Sequence, residues 1–317
     1  MTLNPDIAAY LELVEAGRDV GKSIAMHQMS PEQARAQFDE SSLLMNLVPV
    51  EIEHVQPLRF QTRDGHWLQG RLYARQAPGS TEQGALLYFH GGGYVVGSLD
   101  SHDNLCRTLA QQSGQVVIAV EYRLAPQWRF PTAFEDAEDA WAWLLEQREL
   151  NLDPARLAVG GDSVGGSLAA ALANSLGQAL VRPCLQVLLY PVTDASCWRE
   201  SHQRYASGYL LERQSLEWFY SHYQRRPEDR ADPRLSPLLG ALPAGLAPTW
   251  LLLAGHDPLL GEGLAYAAYL RESGAPVQLQ VYEGMTHDFM RMDAVVEDVV
   301  AIQTDLGERL AQALGSH

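Results

Sequence analysis

The chain has 317 residues, 46% hydrophobic, 20% charged and 9% aromatic, which is enough apolar material for a sizeable globular core. Its net charge of −16, with no block of basic residues, argues against nucleic acid and anionic membrane surfaces as partners. The three cysteines, Cys106, Cys184 and Cys197, are too few for a disulfide framework, and no basic or apolar signal segment opens the chain. The expectation is a cytoplasmic protein with reduced thiols and no membrane partner, since no apolar run approaches the ~20 residues of a span.

In chain order, the first fifty residues read as helical. Leu3, Ile7, Tyr10, Leu11 and Val14 recur at three- and four-residue spacing on one face. Ser30-Pro31-Glu32-Gln33 offers an N-cap, a proline at the first helical position and a capping-box glutamine. Residues 50–61 and 66–73 then read as strands around the turn Arg63-Asp64-Gly65. Strand-like runs follow at 85–89, 116–121, 156–159, 185–190, 249–254 and 277–282. Helical patterns alternate with them. One is 132–146, where Thr132 and Glu135 predict a capping box.

This alternation predicts an α/β fold, a mostly parallel eight-stranded sheet flanked by helices and preceded by an antiparallel hairpin. Residues 194–234 break the rhythm: they are rich in Trp, Tyr, His and Arg and carry no strand pattern. Just past a strand end, where sites form in open α/β sheets, they predict a cap insertion. The organisation expected is therefore a helical cap from residues 1–50 and 194–234, and a catalytic domain from 51–193 and 235–317.

Two glycine-rich motifs carry the chemistry. Leu86-Leu87-Tyr88-Phe89 runs into His90-Gly91-Gly92-Gly93, and Leu157-Ala158-Val159 into Gly160-Gly161-Asp162-Ser163-Val164-Gly165-Gly166 and a helical stretch. A serine squeezed between strand and helix needs neighbours without bulk, which Gly161, Gly165 and Gly166 supply. That makes Ser163 a nucleophile candidate, with the Val164 N–H and the glycine N–H groups as oxyanion donors. A serine hydroxyl needs a base and the base an orienting acid. His287, in Glu283-Gly284-Met285-Thr286-His287, follows the last strand, and Asp257, in Ala254-Gly255-His256-Asp257-Pro258, follows the preceding one. The order Ser163, Asp257, His287 is the hydrolase order. His256 lies on the wrong side of the acid to be the base, Glu262 competes as the acid, and His90 reads as a structural histidine holding its loop.

These stretches, with Tyr122-Arg123-Leu124-Ala125-Pro126, Phe130-Pro131, Tyr190-Pro191 and Asp257-Pro258-Leu259, resemble the hormone-sensitive-lipase-like esterases, a branch of the α/β-hydrolases. The resemblance spans about residues 85–290 and implies a carboxylesterase acting on short or medium acyl esters without cofactor or metal. It implies oxyanion hydrogen bonds from Gly92, Gly93 and Val164, with Gly91 shaping the loop, and in some members a homodimer through the sheet edge. Tyr94, Tyr209, Leu210 and Leu211, with Trp218 and Phe219 nearby, are the expected substrate-binding residues. Three positions depart from the family pattern: Val164 stands for Ala, Asp288 for Gly, and Gly261 for an acidic residue. Amide cleavage by the same triad stays open. A non-catalytic receptor on this scaffold is disfavoured because Ser163, Asp257 and His287 are all present.

Overall fold

Successive residues of the central strands send their side chains to opposite faces, and both faces are buried. The structure, a computed structural model, describes residues 2–45 and 48–315. Its strands are β1 (His54–Gln61), β2 (Trp67–Ala74), β3 (Gln83–Phe89), β4 (Val116–Glu121), β5 (Leu152–Asp162), β6 (Leu185–Leu189), β7 (Thr249–His256) and β8 (Val277–Thr286). They form one eight-stranded sheet in the order β1-β2-β4-β3-β5-β6-β7-β8. The β1–β2 and β2–β4 pairs are antiparallel and every other pair is parallel. The predicted sheet is thus observed, hairpin included.

Helices cover both faces. Leu87, Phe89, Val159 and Leu188 pack on the side of α4 (Thr132–Glu146), α5 (Val164–Ser175) and α8 (Leu260–Glu272). Leu86, Tyr88, Ala158 and Val187 pack on the other side, with α3 (Asp103–Ser113) and α9 (Glu297–Leu314). A strand buried on both faces calls for a near-continuous apolar run, and β3, β6 and β7, buried throughout, are apolar but for Gln83, Gln186, Thr249 and His256. Among the described residues no helix is long and apolar enough to cross a membrane.

Four helices lie outside this sandwich: α1 (Pro5–Asp19), α2 (Pro31–Met45), α6 (Glu200–Arg204) and α7 (Arg213–Tyr223). α2 begins as its sequence predicts: the Ser30 Oγ accepts from the Gln33 N–H at 3.2 Å, and the Gln33 Oε1 accepts from the Ser30 N–H at 2.9 Å. The capping box expected at Thr132 is not formed. Pro131 holds the N-cap position and its carbonyl accepts from Phe134 and Glu135, so Thr132 is already inside the helix. α1 is fastened at both ends. Asn4 caps it, donates its N–H to the Gly284 carbonyl and its Nδ2 to Asp298. At the far end the Arg18 Nη1 lies 2.6 Å from the Glu212 Oε1, just before α7.

A buried ion pair ties the segment after β4 to α4, and its arginine also reaches the half-exposed turn of the hairpin. The Arg123 guanidinium donates to Asp136 through Nε and Nη2, at 3.0 and 2.6 Å, and reaches Asp64 in the β1–β2 turn at 2.7 Å. Asp136 is fully buried and also accepts the Arg123 N–H at 2.8 Å. Removing one partner of such a pair leaves an uncompensated buried charge. Asp136→Ala is expected to lower unfolding free energy by about 3–5 kcal/mol. Urea denaturation checks this, and a loss well under 1 kcal/mol would refute it.

Candidate active site

The elbow is built from steric necessity. Between β5 and α5, Ser163 takes φ +53° and ψ −124°, a conformation that costs a non-glycine residue on the order of 1–3 kcal/mol. A Cβ on Gly161 would stand 2.3 Å from the Phe89 carbonyl oxygen, and one on Gly165 2.0 Å from it. Only glycines let β3 and the start of α5 approach so closely. The Ser163 N–H bonds the Leu189 carbonyl at 2.8 Å, which leaves the hydroxyl free to point away from the sheet.

Neighbouring strands deliver the other two groups. In the parallel β7–β8 pair His256 lies opposite Thr286, so the residues that follow, Asp257 and His287, leave the sheet side by side. The Asp257 Oδ2 lies 2.7 Å from the His287 Nδ1, and its Oδ1 accepts the Leu259 N–H at 2.8 Å. The His287 Nε2 lies 3.0 Å from the Ser163 Oγ. With Nδ1–H donated to the carboxylate, Nε2 is left to accept the serine proton. All three residues are buried, and the Tyr190 ring meets the imidazole edge-on at 4.8 Å. Burial opposes protonation of His287, but the charge and hydrogen bond of Asp257, joined by the charges of Asp288 and Asp162, raise its pKa above the ordinary imidazole value.

The glycine loop faces the same hydroxyl. Gly92 and Gly93 have φ of +113° and +60° and line the cavity beside Ser163. No acceptor among the described residues takes their N–H groups or that of Val164. The Gly91 N–H is engaged elsewhere, by the Asp162 Oδ1 at 2.9 Å. Asp162 also accepts from the Tyr88 hydroxyl at 2.7 Å and lies 3.2 Å from the His102 Nε2. Burial works against its charge, yet His102, Tyr88 and Arg291 hold its carboxyl well below the usual range. His90 stacks on Tyr122 at 4.4 Å, and burial together with His102 pushes its pKa down to about 3, so it is a neutral member of the loop's support.

A cavity of about 470 Å³ opens onto Ser163 and His287, a volume suited to small molecules. Leu210 and Leu211 line it as the sequence suggests, with Phe219 on α7, Phe38 and Met45 on α2, and Tyr10 on α1. Tyr94 and Tyr209 do not reach it. Tyr94 is 1% exposed and stacks on Tyr223 at 3.8 Å, behind the loop. Tyr209 stacks on His256 at 5.7 Å. Adjacency in sequence does not fix the side of the chain on which a ring lies.

The structure adds Arg291, which the sequence did not single out, and gives Asp288 its partner. Asp288, at φ +70°, pairs with Arg291: the Arg291 Nε donates to its Oδ1 at 2.8 Å and Nη2 reaches its Oδ2. Arg291 is 2% exposed, donates to the Ser42 Oγ and the Ser101 carbonyl, and lies over the Phe38 ring. His102, Asp162 and Asp288 bring ligand-type atoms within 4.8 Å of one another, and the positive charge beside them is that of Arg291. Nothing in the local sequence marks Arg291, because its partners lie on distant segments.

Comparison with known proteins follows the same outline. Residues 86–291 match the α/β-hydrolase fold family. The chain is 58% identical over 302 residues to an ethyl acetate hydrolase of Pseudomonas putida, with 94% of this chain and 95% of that one covered. Among solved structures it is similar to an α/β-hydrolase enzyme from the metagenome of Lake Arreo, Spain (TM-score 0.92, 33% identity, 98% of each chain). It is equally similar to a hyperthermophilic esterase of Pyrobaculum calidifontis (TM-score 0.92, 31% identity, 98% and 99% covered). The likeness takes in the N-terminal helices as well as the sheet, and the chain belongs to the hormone-sensitive-lipase-like branch of the α/β-hydrolase family.

Proposed function

We propose that this protein is a serine carboxylesterase in which Ser163, His287 and Asp257 form the catalytic triad. The observation that carries the reading is the His287 imidazole, held 2.7 Å from Asp257 and 3.0 Å from the Ser163 hydroxyl at the floor of the cavity. Ser163 Oγ attacks the ester carbonyl carbon while its proton passes to the His287 Nε2. The N–H groups of Gly92, Gly93 and Val164 receive the oxyanion of the tetrahedral intermediate. Collapse breaks the bond to the alcohol oxygen, which takes the proton from His287 and leaves. Water then attacks the acyl-enzyme with His287 again as base, and a second collapse releases the carboxylic acid and restores Ser163.

The size and largely apolar lining of the cavity support short- to medium-chain esters as substrates, and the activity named for the Pseudomonas putida relative points to small ones. The segments 1–45 and 200–223 supply most of that lining and act as the cap. Phe219 contributes directly: its ring lies where a Cβ on Gly93 would stand, 2.2 Å away, and so walls the oxyanion loop.

Three outcomes test this function. A fluorophosphonate should label wild-type Ser163 and leave Ser163→Ala unlabelled and inactive, while Asp257→Asn should slow turnover by about 10⁴ through the wrong imidazole tautomer. Labelling at another residue, or an active Ser163→Ala enzyme, refutes the assignment.

The base works as neutral imidazole, so kcat/KM should rise with pH through a His287 pKa above the ordinary value. Asp288→Asn removes one of the charges that favour imidazolium and leaves Arg291 unpaired. Both changes favour the neutral ring, so the acidic limb should move to lower pH. A pH–rate profile in which the limb stays or moves upward contradicts this.

Phe219→Ala should shift preference in a p-nitrophenyl ester series toward longer or bulkier acyl groups. An unchanged series would remove Phe219 from the pocket.

A further inference from the structure

Resting on the esterase reading, we propose that Arg35 of α2 is a positioning residue for the oxyanion loop, which makes a cap helix part of the machinery that stabilises the transition state. The loop needs outside support. Gly92, Gly93 and Tyr94 have φ of +113°, +60° and +63°, three successive residues with positive φ, one of them bearing a bulky side chain. A non-glycine residue there costs on the order of 1–3 kcal/mol and persists only where its surroundings over-determine it.

The supports are visible. The Asp162 carboxylate takes the Gly91 N–H, the Tyr122 hydroxyl donates to the His90 carbonyl, and the Ala125 N–H donates to the Tyr94 carbonyl. Within the loop the N–H groups of Val95 and Val96 both turn back to the Gly92 carbonyl. Arg35 closes the set. Its Nε donates to the Val95 carbonyl at 2.8 Å, and its Nη2 donates to the Ala125 carbonyl at 2.7 Å and to the Gln127 Oε1 at 2.9 Å. One planar guanidinium therefore ties the end of the glycine turn to the segment that holds Tyr94. Among the described residues it is, of these hydrogen bonds, the one that comes from outside the sheet domain, beside the α7 rings of Phe219 and Tyr223 that pack on Gly93 and Tyr94.

The same face of α2 makes two further contacts. Four residues on, Asp39 accepts from the Ser98 hydroxyl at 3.1 Å. Seven residues on, Ser42 accepts from Arg291, which pairs with Asp288 next to His287. Residues spaced by three and four share a helix face, so one face of α2 spans from the oxyanion loop to the loop of the base.

Kinetics of Arg35→Met, Arg35→Gln and Arg35→Lys on a short p-nitrophenyl ester test the role. Wild-type turnover and Ser163 labelling are read first, so a chain that does not hydrolyse esters fails there and not at Arg35. A mispositioned donor loop should lower kcat on the order of 10–100-fold with KM little changed, short of the 10²–10³ for losing a donor outright. Lysine, a point charge that does not span both carbonyls, should fall between wild type and methionine. An alkyl trifluoromethyl ketone, which adds to the serine and places an oxyanion among the donors, should bind more weakly by the same factor as kcat/KM. The parent methyl ketone, which binds without adding, should keep its affinity. Unchanged kcat, a loss confined to KM, or equal loss of both ketones overturns the proposal. So do variants that no longer fold, since the arginine would then be holding the cap and not the turn.

Discussion

The site depends on one buried carboxylate. Asp162 is joined through the backbone to Ser163 and through a hydrogen bond to Gly91, so the elbow serine and the loop opposite it are fixed to the same residue. A lone carboxylate at that depth would be too costly to keep ionised. Here the Tyr88 hydroxyl, His102 and the nearby Arg291 offset the desolvation. The arrangement leaves Gly91 without a free N–H, since its donor is spent on alignment, and the proposed oxyanion donors are the next two residues and Val164. It also explains the position of Arg291, a charge that serves Asp288 on one side and stabilises Asp162 on the other.

Charge balance then sets the character of the base. Three carboxylates, Asp257, Asp288 and Asp162, favour imidazolium at His287 against the effect of burial. Asp257 makes the hydrogen bond that selects the tautomer, while Asp288 turns its oxygens to Arg291. The acidic residue next to the base acts through space, moderated by the arginine behind it.

Most of the sheet and the three residues of the proposed triad were legible in the sequence because their signals are local. Both glycine motifs sit at strand ends where a Cβ would strike backbone, and Asp257 and His287 each follow a strand of the expected order. The capping box at Ser30 was legible for the same reason, and the one at Thr132 failed because a proline one residue earlier claimed the cap. The residues that went unread, Arg35, Arg291 and the true orientations of Tyr94 and Tyr209, are defined by partners far away in the chain. Arg35 lies in a helix whose pattern announces only amphipathicity. Its carbonyl partners, on Val95 and Ala125, carry no sequence signature at all.

The two N-terminal helices are attached in different ways. α2 is held by a guanidinium on backbone carbonyls and by the Arg291 cluster, both tied to the reacting atoms. α1 is secured at Asn4 by backbone and side-chain bonds, and at its other end by the Arg18–Glu212 pair, whose carboxylate is buried. The two helices thus meet the rest of the molecule through separate sets of contacts: α1 through the Gly284 carbonyl and Glu212, α2 through the glycine turn and Arg291.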